Sequence, residues 1–368
     1  MSGARARAAA GSAGLFAGSL LLAFLAGEGA LRLAGYEPTR LRNTARVVDS
    51  SWRALLDCYP TNPRGYFDID LRDERTRERY RWMAPVRLDA VARRAPWAVE
   101  FRYNALRFRD APLGPKPPGV RRVMVLGDSF TEGQGVKEPD TYPRRLESLL
   151  NASGSGRWEV RNCGRRATDF PELYAAFEQI LPYQPDVVVY GMVLNDADRS
   201  AEFQARQTYV NDLILDRGRI LEGGASPGLG PLDSRLFALV ADRVDRYRTS
   251  RATLRWYREM YGEPNHAGWE RTEGYLRDMN QRTRASGGRL LIATWPLLVS
   301  LDRYPFAEAH ETIARFCLTA GIPQYDLLPV LRGRPTESLW VHPVDMHPNE
   351  IAHRLAAESL VGPVLAAR

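Results

Sequence analysis

The chain has 368 residues, of which 44% are hydrophobic, and it carries a formal net charge of +7. That length and apolar content provide for a sizeable core and exclude wholesale disorder. The positive charge comes almost entirely from arginines scattered among acidic residues, as in LRDERTRERYR at 71–81. Such a run is typical of a solvated helix face and does not favour nucleic-acid binding.

The N-terminal segment has the pattern of a membrane anchor. Arg5 and Arg7 precede an uncharged run from Ala8 to Gly27, which matches the roughly 20 residues that span a bilayer as a helix. Positive charge before the span favours a cytoplasmic N-terminus, with everything from Glu28 onward on the opposite side. Because no A-x-A cleavage site follows the apolar core, we interpret residues 1–35 as an uncleaved signal anchor, in preference to a cleaved signal peptide or a buried soluble helix.

Residues 36–118 are interpreted as an N-terminal extension and linker. Alternation of apolar and polar residues from Val99 to Tyr103 predicts a short strand. The proline-rich stretch PLGPKPPG at 112–119 predicts the boundary to the next domain.

From residue 119 to 366, strand and helix patterns alternate, which predicts an α/β domain with a parallel sheet and helices on both of its faces. Strands are predicted at 123–126, 158–164, 186–196, 289–296 and 324–329. Helices are predicted at 142–153, 171–183, about 269–285, 306–321 and 349–366. The stretch 198–264 is too long for an ordinary connection, so we interpret it as an inserted cap or lid with a charged helix from about 236 to 261.

Cysteine and histidine usage favours neither a disulfide framework nor a metal centre. Cys58, Cys163 and Cys317 include no C-x-x-C pair and allow at most one bridge, whose partners the sequence does not select. No zinc-type ligand cluster is present in the sequence, and we expect neither a metal nor a cofactor.

Polar residues follow the predicted strands at the edge where ligands bind in an open parallel sheet. The first strand ends in Gly127-Asp128-Ser129, the second in Asn162-Cys163-Gly164 and the third in Leu194-Asn195-Asp196. The stretch VHPVDMHPNE places Asp345 and His347 in a predicted loop just before the last helix.

These residue types together suit acyl transfer. His347 can take the proton of the Ser129 hydroxyl, and Asp345 can hold the imidazole in the right tautomer. The backbone N–H groups of Ser129 and Gly164 and the side-chain amide of Asn195 can donate hydrogen bonds to an oxyanion.

Each residue taken alone also has a structural explanation. Ser129 can be a helix N-cap, Gly164 a turn glycine, and Asn195 a cap or turn residue. His347 and Asp345 can be ordinary loop residues. Two further histidines and one cysteine are interpreted as structural: His342, His353 and Cys163.

Other motifs that place a serine after a strand do not fit. A phosphate loop requires G-x-x-x-x-G-K-[ST], and the sequence near Ser129 contains only Lys137. The dinucleotide fingerprint G-x-G-x-x-G is absent there, and the G-x-S-x-G elbow fails because Thr131 stands where glycine is needed. A flavin site stays open on fold grounds alone.

The sequence resembles the SGNH (GDSL-like) hydrolase superfamily over about residues 119–366. The four blocks that carry the resemblance are GDSFTEG, NCG, GMVLND and DMHPN. The resemblance implies a flavodoxin-like three-layer α/β/α sandwich with a mainly parallel five-stranded sheet, preceded here by the membrane helix. It implies Ser129 as nucleophile, with Gly164, Asn195 and the pair Asp345 and His347 in the remaining blocks.

The sequence departs from the family pattern at several positions. Val344 stands where the usual acid precedes the histidine by three residues, and Asp345 precedes it by two. Cys163 replaces a common alanine, and GRRATDF replaces a loop that usually contains glycine. The membrane segment together with YNALRFRD resembles a bacterial membrane-anchored subgroup, which implies a single-pass protein of the cytoplasmic membrane with a periplasmic or extracellular catalytic domain.

Two enzyme hypotheses follow. The first is an extracytoplasmic serine esterase that acts on an acylated small molecule, glycan or lipid, with acetyl as one candidate group. The alternative is an O-acyltransferase that modifies a cell-surface polysaccharide through the same site. A third hypothesis, a non-catalytic glycan-binding or assembly protein, is disfavoured by the complete set of site residues.

Overall fold

The computed structural model describes residues 2–36, 101–166, 168–206, 230, 232–342 and 345–367. These residues fall into two compact units. The smaller unit contains the described residues up to 36 and from 230 to 253, and the larger contains those from 101 to 206 and from 254 to 367.

The larger unit is built on a parallel sheet. Its strands are β1 (Val120–Gly127), β2 (Arg157–Gly164), β3 (Val187–Val193), β4 (Arg289–Trp295) and β5 (Gln324–Asp326). Their order in the five-stranded sheet is β2-β1-β3-β4-β5, and every neighbouring pair is parallel. All seven residues of β3 are buried, as its continuous apolar run predicts. The predicted α/β fold with a parallel five-stranded sheet is confirmed.

Helices connect the strands and begin the chain. They are α1 (Ser2–Leu33), α2 (Ser129–Glu132), α3 (Tyr142–Ala152), α4 (Phe170–Ile180), α5 (Arg235–Glu259), α6 (His266–Ala285), α7 (Ala307–Thr319), α8 (Leu328–Leu331) and α9 (Glu350–Ala366). Single 3₁₀ turns lie at Glu138–Asp140, Leu181–Tyr183, Glu263–Asn265, Leu301–Arg303 and Thr336–Leu339.

The strand order places helices on both faces of the sheet. The connection from β1 to β2 runs toward one edge, and the connection from β2 to β3 runs back past β1. Because such crossovers are right-handed, α3 and α4 lie on opposite faces. The helix α9 packs against α3, and α6 packs against α4, which completes two helical layers around the sheet.

The end of the predicted extension packs into this larger unit. The Arg109 side chain is fully buried and donates hydrogen bonds to the carbonyl oxygens of Glu132, Gly133 and Val136 at 2.8–3.1 Å. The predicted strand at 99–103 is not formed in its described part, since residues 101–103 have no strand structure. Instead of pairing with a strand, Phe101 packs under Arg109, whose guanidinium carbon lies 3.5 Å from the centroid of the Phe101 ring.

Both ends of the predicted insertion also belong to the larger unit. Residues 201–206 are helical, and Phe203 stacks on Trp256 with ring centroids 5.6 Å apart. Met260 and Tyr261 are buried in the same core. The predicted charged helix is present as α5.

In the smaller unit, α1 contains a stretch long and apolar enough to cross a membrane, Gly11–Leu33, with a mean hydropathy of 1.6 and 6% of it buried. A signal sequence satisfies the same criteria. Near the end of this helix, the Glu28 carboxylate accepts hydrogen bonds from the backbone N–H groups of Arg235 and Leu236, each at 2.9 Å. Glu28 therefore caps the N-terminus of α5, where a carboxylate is favourable.

Candidate active site

A tight turn carries the candidate nucleophile from β1 into α2. Gly127 ends the strand with φ 157°, and a Cβ added there would lie 2.1 Å from the Thr131 hydroxyl oxygen, so only glycine fits. The helix cap is Asp128, whose carboxylate accepts from the Phe130 N–H at 2.8 Å. Ser129 is therefore the first helical residue and not the cap, which leaves its hydroxyl free to point toward a partner.

That partner is an imidazole. The His347 Nε2 and Ser129 Oγ atoms are 2.8 Å apart, which is hydrogen-bond distance. The histidine ring packs edge-on against Phe130, with ring centroids 5.5 Å apart. A serine hydroxyl held by an imidazole in this way can lose its proton as it attacks an electrophile.

The prediction that His347 lies in a loop is wrong. Asp345–Pro348 forms a strand, β7, that pairs antiparallel with β6 (Trp340–His342) in a two-stranded ribbon. Strands of three and four residues are too short to show a recognisable alternation in the sequence. Asn349 fixes the end of the ribbon, because its side-chain amide donates to the carbonyl oxygens of Ser338 and Trp340 at 2.8 and 3.1 Å.

Gly164, at the end of β2, lies directly against the nucleophile helix. A Cβ added at Gly164 would be 2.2 Å from the Glu132 backbone nitrogen and 2.7 Å from the Thr131 carbonyl carbon. The Gly164 N–H donates to the Asn162 side-chain oxygen at 3.0 Å. The Gly164 N–H, predicted as an oxyanion donor, thus lies beside α2 and is hydrogen-bonded to the Asn162 side chain.

Asn195 follows β3 and points to the same turn. Its side-chain nitrogen is 3.5 Å from the Asp128 Oδ2 atom, a long and weak hydrogen bond. The same carboxylate oxygen lies 3.4 Å from Ser129 Oγ. The side chains of Asn195 and Ser129 therefore approach one shared oxygen.

The Asp345 side chain lies outside the described part of the structure, so its predicted role stays a prediction. The backbone of Asp345 is described and belongs to β7, opposite His342 in the ribbon. Val344, at the position of the usual family acid, also lies outside the described residues.

The sequence matches the model of the GDSL-like lipase/acylhydrolase family over residues 125–355. The chain belongs to this family. It is therefore a hydrolase that acts on esters, and the match spans the serine turn, the two following strand ends and the ribbon histidine. No curated protein matches the sequence of this acylhydrolase.

Solved structures with the same type of domain resemble it at low identity. A protein described as lipolytic and of the G-D-S-L family from Desulfitobacterium hafniense DCB-2 is 15% identical, with a TM-score of 0.40, covering 66% of this chain and 98% of its own. TesA is 13% identical, with a TM-score of 0.41, covering 67% and 100%. Axe2, an acetylxylan esterase from Geobacillus stearothermophilus, is 15% identical, with a TM-score of 0.40, covering 68% and 95%. At these scores the likenesses carry no argument about the acylhydrolase's substrate.

Two buried carboxyl groups lie in and near the serine turn of this acylhydrolase, and sequence reasoning missed their importance. Burial raises the pKa of Asp128, although the Phe130 N–H and the nearby His347 oppose the shift. Burial and the neighbouring Asp128 charge raise the pKa of Asp196 well above its usual value. The Asp196 carboxylate accepts from the Tyr190 hydroxyl at 2.8 Å and the Val193 N–H at 2.9 Å. The available sequence signal was an acidic residue within three positions of the end of a buried strand, Asp128 after β1 and Asp196 after β3.

The other histidines and cysteines named in the sequence analysis either have structural contacts or lie outside the described residues. His353 is fully buried, and its Nδ1 accepts from the Tyr142 N–H at 3.0 Å. Cys163 is a buried free thiol whose pKa is raised by burial. Cys58 and the His342 side chain lie outside the described part of the structure. Among the described residues, no group of three or more His, Cys, Asp or Glu side chains could hold a metal ion.

Proposed function

We propose that this acylhydrolase is an extracytoplasmic serine esterase that works through an acyl-serine intermediate. The observation that carries the proposal is the 2.8 Å contact between Ser129 Oγ and His347 Nε2. Ser129 Oγ attacks the ester carbonyl carbon while His347 takes the hydroxyl proton. His347 then gives that proton to the departing alcohol, and a water molecule, activated by the same imidazole, releases the acid and restores the serine.

The negative charge that develops on the carbonyl oxygen needs hydrogen-bond donors. The Ser129 N–H lies in the first turn of α2, where backbone N–H groups have no intrahelical acceptor and can donate to an anion. Gly164 and Asn195 are proposed to supply two further donors. Both are close to the turn, and the long Asn195 bond to Asp128 costs little to exchange for a bond to an oxyanion.

Asp345 is proposed to orient the His347 imidazole from its place two residues earlier on β7. We expect Asp345→Asn to lower kcat/KM for p-nitrophenyl acetate less than His347→Ala does, because the histidine carries the proton and the acid only positions it. Wild-type rates in both variants would remove the pair from the mechanism.

The substrate class is proposed to be an acylated glycan, lipid or small molecule outside the cytoplasm, with an acetyl ester as the first candidate. Support for the location comes from α1, whose exposed apolar surface suits a single-pass anchor in the bacterial cytoplasmic membrane. Two arginines precede the span, which favours an external catalytic domain.

The decisive experiment combines a variant with mass spectrometry. Ser129→Ala should abolish p-nitrophenyl acetate hydrolysis while the thermal unfolding midpoint stays near that of the wild type. Ser148→Ala, a change at an exposed serine of α3, is the matched control and should retain activity. Full activity of Ser129→Ala would refute the nucleophile assignment.

Mass spectrometry of the wild-type protein after incubation with acetylated glycans should show an acetyl adduct on Ser129. The adduct should be lost to water. If its lifetime shortens only when an acceptor sugar is added, the protein is an O-acyltransferase and the hydrolytic proposal is wrong.

A further inference from the structure

The first half of α5 carries an apolar stripe with no covering in the described structure. The stripe consists of Phe237, Val240, Val244 and Tyr247, whose exposed fractions are 74%, 55%, 40% and 62%. Spacings of three, four and three residues put all four side chains on one face of the helix. Just before α5, Leu232 is 96% exposed.

The stripe faces away from the contacts that hold α5 to α1. Ala238 and Asp242, one helical turn apart on a different face of α5, are buried. Asp242 accepts a hydrogen bond from the Tyr36 hydroxyl at 3.2 Å, and Glu28 caps the helix start. These contacts fix which face of α5 is turned outward.

The same contacts show that α5 runs in the same direction as α1. Leu236 is level with Glu28, and Asp242, six residues further on, is level with Tyr36. A helix rises about 1.5 Å per residue, so the end of the apolar α1 segment at Leu33 is level with roughly residue 241 of α5.

The stripe therefore crosses the level at which the candidate membrane span ends. Phe237 and Val240 lie beside the last turns of that span, and Val244 and Tyr247 lie about 4 and 9 Å beyond it. The headgroup region on each side of a bilayer is on the order of 5–8 Å thick. Val244 is thus at headgroup depth, and the Tyr247 backbone lies just past it. Because helical side chains lean toward the helix N-terminus, the Tyr247 ring extends back toward the interface that aromatic side chains favour.

Positive charge surrounds the far end of the stripe. Arg243, Arg248 and Arg251 are exposed, and the Arg251 guanidinium lies 5.3 Å from the centroid of the Tyr247 ring. Arginines in this position can reach lipid phosphates while the apolar side chains lie deeper.

We propose that the apolar stripe of α5 lies in the outer interface of the membrane that α1 spans, as a second lipid contact of the protein. This inference rests on the proposed membrane anchoring. A lipid surface fits better than a protein partner because the stripe lies at the level where the exposed apolar segment of α1 ends, and exposed arginines follow it along α5. It assigns a membrane contact to the first half of the helix α5 of the predicted cap.

Photo-crosslinking of the full-length protein in phosphatidylcholine–phosphatidylglycerol vesicles tests the proposal. A benzoylphenylalanine replaces Val240 in one variant. It replaces Leu21 of α1 in a second, as a positive control for insertion. In a third it replaces Leu318, an 82% exposed leucine of α7, as a matched control for exposure. We expect lipid adducts at 240 and 21 at roughly tenfold or more above the level at 318.

The other outcomes overturn the proposal in different ways. Lipid adducts at 21 without adducts at 240 leave the anchor in place and refute the stripe contact. A protein–protein adduct of doubled mass at 240 shows that a second copy covers the stripe. Absence of lipid adducts at both 21 and 240 refutes the anchor as well. Hydrolysis of p-nitrophenyl acetate by the same variants reports the esterase activity separately.

Discussion

Replacing Gly164 by alanine probes how closely β2 approaches the nucleophile helix. The added Cβ would lie 2.2 Å from the Glu132 nitrogen, and its three nearest neighbours are all backbone atoms of Thr131 and Glu132. Ordinary contact begins near 3.4 Å, so α2 and β2 must separate by about 1.2 Å. Backbone atoms cannot rotate aside as a flexible side chain can.

That displacement moves Ser129 relative to His347. A misplacement of about 1 Å can cost ~100-fold in rate, which corresponds to about 2.7 kcal/mol in the activation free energy. Overpacking should also lower the free energy of unfolding by about 1–3 kcal/mol. We therefore expect Gly164→Ala to fold and to lose about two orders of magnitude in kcat/KM.

The assay is p-nitrophenyl acetate hydrolysis beside a denaturant unfolding curve. Gly274→Ala is the matched control, because Gly274 lies within α6 with nothing within 4 Å of an added Cβ. It should keep wild-type activity and gain slightly in stability from improved helix propensity. A Gly164→Ala variant that retains activity within about twofold of wild type would refute the proposed tight approach.

Two further predictions concern buried ionisable side chains. Arg109→Met should lower the free energy of unfolding by about 3 kcal/mol or more, because three buried carbonyl oxygens lose their donor; a urea unfolding curve measures this, and a loss below about 0.5 kcal/mol would contradict the role of this side chain. Asp196→Asn should reduce the loss of stability at higher pH. Burial raises the folded-state pKa of Asp196, so the stability that its protonated form contributes is fully present below the unfolded pKa and is lost as pH rises through the folded pKa. Unfolding free energies of wild type and variant, measured from about pH 5 to about pH 8, should therefore diverge with rising pH in favour of the variant; parallel curves would show that the carboxyl is not held in its neutral form.

The sheet was predictable because its strands carry their own signal. The run from Val187 to Val193 is apolar throughout, and such a run in a strand–helix alternation indicates a parallel strand buried on both faces. The order of the polar strand ends then predicted that Ser129, Gly164 and Asn195 would lie near one edge of the sheet. The structure places all three around the turn after β1.

Other features depend on contacts that sequence patterns do not report. The ribbon that carries His347 is held by Asn349, and its strands are too short for periodicity to reveal. The buried position of Arg109 depends on backbone carbonyls more than 20 residues away in the chain. The cap of the nucleophile helix is Asp128 and not Ser129, because the Asp128 carboxylate accepts the Phe130 N–H.

The hydrogen bond from Gly164 to Asn162 has a consequence for selectivity. In the resting protein the Asn162 amide oxygen occupies the donor that an oxyanion would use, and this side chain is 1% exposed. A neutral ester carbonyl is no better an acceptor than an amide oxygen, so substrate binding alone gains little by displacing it. A fully developed oxyanion is a much stronger acceptor, so it displaces the Asn162 oxygen from the Gly164 N–H. On the proposed mechanism, Asn162 thus withholds one donor from the ground state and releases it to the transition state, which is the difference on which rate acceleration depends.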